Sequence, residues 1–169
     1  MAELRGPMHR FDEPRGLIYR RACSADLGDA RCRVHLTLPA FRAEAAVATT
    51  DGTLSLTASG LAGYEAGWFA AGRLLWLAGA NAGTAIEIQA HRLEGGIAGL
   101  DLWQRMPEPI APGDAFRVTA GCDKSLDTCR GRFANVPNHR GFPHMPGNDF
   151  VLSVVTSGSG IFDGGSLFR

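Results

Sequence analysis

Cys122-Asp-Lys-Ser-Leu-Asp-Thr-Cys129 is one half of a four-cysteine set, and the other half stands far upstream as Cys23-Ser-Ala-Asp-Leu-Gly-Asp-Ala-Arg-Cys32. The chain therefore reads Cys-x8-Cys, a middle of about ninety residues, then Cys-x6-Cys, with no cysteine left over. Spacing alone leaves four uses open. Two disulfides need an oxidising compartment, and Met-Ala-Glu-Leu-Arg-Gly at the start has no apolar run of signal-peptide length. Plain buried thiols are a second use, since unpaired cysteine packs as a small apolar residue. The flanks argue against it: Asp26, Asp29, Arg31 and Arg33 surround one pair, and Asp123, Lys124, Asp127 and Arg130 the other. Structural zinc typically takes each pair from a tight turn with about two to four intervening residues. The gaps here are wider. An iron–sulfur cluster accepts wider gaps because its thiolates sit at separate corners.

The middle of the chain decides the fold class. A chain of 169 residues is long enough for one domain with a real core. Its 17 basic residues balance 17 acidic ones, so there is no global electrostatic case for nucleic acid or a membrane surface. Arginine outnumbers lysine 16 to one. The longest apolar runs, such as Leu74 to Ala78, are far too short to span a bilayer. Glycine, at 22 residues, is well above ordinary usage and favours turns over long helices.

From Arg33 to Ala120 the sequence reads as strand after strand. Val34, Leu36 and Leu38 alternate with His35 and Thr37, the mark of a half-buried strand, and His35 falls on its polar side. Phe41 to Thr49 and Leu54 to Ala58 flank Asp51-Gly52, a pair suited to the positive φ of a tight hairpin. Leu74 to Ala78 and Ala85 to His91 follow, and Gly95-Gly96 turns the chain into Ile97 to Leu102. Gly113-Asp114 leads into Phe116 to Thr119. The expected fold is mainly β, a small barrel or sandwich of about seven strands over residues 33–120. Trp68, Phe69, Trp76 and Trp103 read as its aromatic core.

The flanks carry the cysteines. Residues 1–16, with Pro7 and Pro14 among charges, read as a loose leader, and Leu17 to Arg21 delivers Cys23. Asp26 and Asp29 read as turn formers bonded to nearby backbone. Lys124 to Phe133 has helical composition with Asp123 placed as N-cap, which puts Cys129 on a short helix. Asn135 to Gly147 is dense in Pro, Gly and Asn and reads as an irregular loop. The tail, residues 150–169, begins with the apolar run Phe150 to Val155 and is expected to be disordered or to dock on a neighbouring subunit.

The whole stretch from Ala120 to Asp149, with Cys23 to Cys32, Gly67-Trp68-Phe69 and Trp76 to Gly83, closely resembles a phage-conserved family. That family forms the C-terminal half of baseplate hub proteins in gene transfer agents and related long-tailed siphophages. The resemblance covers about residues 17–149 and implies a hub C-terminal domain there. By similarity to the tail-tip protein of phage lambda, it implies that Cys23, Cys32, Cys122 and Cys129 bind an iron–sulfur cluster of the 4Fe-4S type. It further implies a non-enzymatic virion protein in the tail of a phage-like particle, assembled in the bacterial cytoplasm and acting in tail assembly and DNA delivery. The implied setting is a homotrimer beside the distal tail protein, the tip or fibre-bearing protein and an N-terminal hub half. Neither membrane insertion nor a specific nucleic-acid site is expected. Hubs of this family usually carry a second, N-terminal domain of similar size, and this chain is expected to begin too late to contain it. Three rival readings come from other classes. One is a small redox enzyme or a cysteine hydrolase using Cys129 with His139 or His144, another a glycan-binding module using Tyr64 and Trp68, and the third a zinc-stabilised binding module on the four cysteines.

Overall fold

Alternating apolar positions within the strands become the inner wall of a closed six-stranded barrel in the computed structural model, which describes residues 19–145. The strands are β1 (Arg42–Thr50), β2 (Ser55–Ala58), β3 (Arg73–Trp76), β4 (Ala85–Glu94), β5 (Ile97–Leu102) and β6 (Ala115–Thr119). Around the barrel they run β1-β2-β5-β4-β3-β6, every neighbouring pair antiparallel. The longest strands, β1 and β4, form the corners. The first half of β1 pairs with β6 and its second half with β2, with a register shift between Val47 and Thr49. In β4 the shift falls between Ile88 and Ala90, where pairing passes from β3 to β5. Such irregularities bend a strand sharply enough to close a small sheet on itself. Closure leaves no barrel strand with an unpaired edge.

Period two fills the inside. Leu56 and Ala58 point inward from β2, Leu74 and Trp76 from β3, Ala98, Leu100 and Leu102 from β5, and Phe116 and Val118 from β6. Trp76 and Phe116 meet edge to face, ring centroids 5.7 Å apart. Connections supply the rest, with Leu61 and Phe69 between β2 and β3, and Met106 and Ile110 between β5 and β6.

The turns form where local chemistry demands them. Asp51 accepts from the backbone N–H groups of Thr53, Leu54 and Ser55 with one carboxylate oxygen, and Gly52 takes φ +99°. Those donors, led by Ser55, hold the Asp51 carboxyl below the usual carboxylate range. Gly95 and Gly96, at φ 56° and 83°, give the mirror-image turn that a two-residue hairpin needs.

Three expectations are corrected. The strand read at Val34 to Leu38 is a run of turns, closed by Leu38 N–H to the His35 carbonyl and Phe41 N–H to the Leu38 carbonyl. The barrel accordingly has six strands rather than seven. Trp103 is not core but 57% exposed. The helix is α1 (Leu126–Gly131), shorter than read, and its N-cap is Ser125, whose hydroxyl accepts from Thr128 N–H. Asp123 instead holds the residue before the helix, accepting from Ser125 N–H at 2.9 Å. No helix among the described residues is long and apolar enough to cross a membrane. The leader 1–16 and the tail 150–169 lie outside the described residues.

Candidate functional site

Two arms leave the barrel and meet each other. The N-terminal arm carries Cys23 and Cys32, and the C-terminal arm carries Cys122 and, on α1, Cys129. Backbone bonds tie them: Cys23 N–H to the Lys124 carbonyl at 2.8 Å, Ser24 N–H to the Arg140 carbonyl at 3.2 Å, and Phe142 N–H to the Arg20 carbonyl at 2.9 Å. Gly141 has to be glycine in this crossing, because a Cβ there would lie 2.4 Å from the Arg21 carbonyl oxygen.

Each arm is shaped locally. Asp29 folds the Cys23 to Cys32 loop by accepting from the N–H groups of Cys32 at 2.6 Å, Arg31 at 2.8 Å and Asp26 at 3.1 Å. These bonds, the Cys32 one foremost, keep its carboxyl below the ordinary range. Asp26 uses its backbone carbonyl for the turn, while its exposed carboxylate stands 3.4 Å from Lys124 Nζ. Lys124, at φ 66°, reverses the chain between Cys122 and α1, and its ammonium donates to the Ala25 carbonyl on the opposite arm at 2.6 Å.

The result is convergence. All four cysteines line one small space, walled by apolar Ala25, Leu27, Val34 and Phe133. All four thiols are free, so no disulfide pairing exists here. Burial pushes the Cys122 thiol up. Cys129 is raised by burial first and then by the other three cysteines beside it. Among the described residues no three His, Cys, Asp or Glu side chains converge tightly enough for a single metal ion.

Sequence reasoning missed the residues that join this site to the barrel. Arg132 lies over the Trp68 ring at 4.9 Å and donates to the carbonyls of Gly121 at 2.6 Å, Trp68 at 3.0 Å and Gly67 at 3.3 Å. Phe133 packs against Phe41, centroids 5.2 Å apart. Arg132→Ala should lower stability by about 2–4 kcal/mol, since three carbonyls lose a charged partner in a half-buried place. Arg132→Lys should recover little, because an ammonium cannot fork. Denaturant midpoints check this, and a loss below about 0.5 kcal/mol in the alanine variant would contradict it.

The residues of two rival readings have other partners here. His139 borders the cysteine cavity, but its Nδ1 accepts from Gly141 N–H and its Nε2 faces the Lys124 carbonyl. Tyr64 and Trp68 are half-buried structural pieces: Tyr64 Oη donates to the Pro39 carbonyl at 2.6 Å and Trp68 Nε1 to the Ala40 carbonyl at 3.2 Å. His35 is exposed, as its place on the polar side implied.

Comparison with known proteins agrees with this layout. Residues 67–149 match the family described as phage conserved hypothetical protein BR0599, and residues 1–35 match the baseplate hub protein, N-terminal attachment domain. Among curated proteins none matches. A chain in the solved structure titled "Virion of native gene transfer agent (GTA) particle" is 42% identical and superposes with a TM-score of 0.78. The alignment takes in 96% of this chain and 56% of that one, so the present chain spans little more than half of its relative. The attachment-domain match contains the first cysteine pair and the second match contains the other, so each pair falls within a matched segment. The likeness of this chain is thus to phage and gene transfer agent baseplate hub proteins.

Proposed function

We propose that this chain is a structural component of the baseplate hub in the tail of a phage-like particle, and that its four cysteines hold an iron–sulfur cluster as a clamp. The observation that carries the reading is the meeting of four free thiols, drawn from segments about ninety residues apart, on one small cavity beside a closed barrel. When bound, a cluster supplies four strong bonds that tie both arms together. The chain's own part is to present the sulfurs. Asp29 shapes one loop, Ser125 starts the helix that carries Cys129, and Arg132 fastens the assembly to the barrel.

The role is scaffolding in tail assembly and DNA delivery rather than turnover. Partners on this reading are other baseplate proteins, with the chain repeated as a trimer around the tail axis. The 4Fe-4S type is the nuclearity proposed. Two measurements test it. Anaerobically purified protein should contain iron and acid-labile sulfide, and all four thiols should resist alkylation until metal is stripped. Particles from cells lacking the chain should have no complete tail tip; normal tips in its absence would refute the hub role.

A further inference from the structure

Around a four-thiolate site, N–H groups aimed at sulfur stabilise negative charge and so raise the reduction potential of what is bound. Two such donors stand here. Arg140 N–H lies 3.3 Å from Cys23 Sγ, and Asn135 Nδ2 lies 3.7 Å from Cys32 Sγ. The first is a backbone group, present whatever the side chain. Asn135 is different, because its donor is a side chain and depends on that one residue.

Its placement is fully determined. Asn135 Oδ1 accepts from Asn138 Nδ2 at 2.7 Å, so the amide nitrogen must face the cysteine loop. That nitrogen has two hydrogens, one for the Cys32 carbonyl at 2.6 Å and one for Cys32 Sγ. The backbone N–H of the same residue donates to the Cys129 carbonyl at 3.0 Å. Asn135 thus holds one cysteine of each pair, across 103 positions in one case and from the end of α1 in the other. Leucine would bring no donor. Aspartate, of the same shape, would set an acceptor against a carbonyl oxygen and a thiolate.

We infer that Asn135 is the positioning residue of the four-thiolate site, fixing Cys32 and setting the reduction potential of the bound centre through its N–H directed at Sγ. This rests on the iron–sulfur reading above. The test uses the full chain, purified anaerobically as wild type, Asn135→Ala and Asn135→Asp, with redox titration and iron release to a chelator. Midpoint potential should fall in the order wild type, alanine, aspartate, and both variants should hold iron about tenfold or more weakly. A role confined to packing would not produce that order. If alanine at 135 does not fold, the isosteric aspartate carries the comparison with wild type alone. Iron-loaded wild type with variants of equal potential and equal iron retention would overturn the assignment to Asn135 only. Wild type devoid of iron and sulfide would overturn the cluster reading and this one with it.

Discussion

Cys122→Ser is expected to leave the barrel's strand pairing in place and to release both arms from each other. The arms meet partly through side-chain bonds at the surface, such as those of Ser24 and Arg21. Bonds of that kind contribute about 1 kcal/mol each against competing water. A four-thiolate clamp of the kind proposed would contribute far more. Joining Cys32 to Cys122 closes a loop of about ninety residues, and the chain-entropy estimate used for disulfides gives about 4–5 kcal/mol for such a closure. The variant should expose backbone amides of residues 20–32 and 122–142 to rapid hydrogen exchange while β1 to β6 stay protected. It should also be insoluble or absent from assembled tails. Normal exchange protection in the arms together with normal particle incorporation would dispose of the clamp.

Gly121→Ala should be nearly as damaging, for a steric reason independent of any metal. A Cβ at 121 would sit 1.7 Å from the Ala70 carbonyl oxygen and 2.5 Å from the Gly72 nitrogen. Both obstacles are backbone, so no rotamer change relieves them. Gly121 N–H also donates to the Trp68 carbonyl, and its own carbonyl receives Arg132. The segment that must move is therefore the one through which β6 passes into Cys122. A loss of at least about 3 kcal/mol is expected, at the upper end for overpacking. Thermal unfolding checks it, and an exposed position gives a control: Ala62→Ser should change little. A Gly121→Ala protein as stable as wild type would mean that the approach of β6 to the Trp68 loop is looser than these contacts imply.

The hairpin at Asp51-Gly52, the turn at Gly95-Gly96 and the inward alternation of β2, β5 and β6 were readable directly, because each depends on neighbours in sequence. So was the placement of Cys129 on a helix. The same logic failed at Val34 to Leu38, where strand-like alternation ends up as turns. β1 already has β6 on one side and β2 on the other, so closure leaves that segment no partner. Its apolar residues serve the site instead: Val34 lines the cysteine cavity and Leu36 Cδ1 would lie 2.8 Å from a Cβ at Gly28. Trp103 failed for a related reason. It follows β5, with its N–H on the Glu87 carbonyl and its ring outside the closed wall.

By itself the sequence determined the β character, the positions of the turns, and the two cysteine pairs with their family likeness. Those properties follow from backbone preferences and patterns that act over a few residues. Only the tertiary structure decided that the barrel closes with six strands, that the four thiols share one cavity, and that Arg132, Gly121 and Asn135 hold that cavity in place. The long-range partners of those three residues lie from 11 to 103 positions away. Closure of the barrel brings its two ends back together, and no local pattern encodes which atoms then meet.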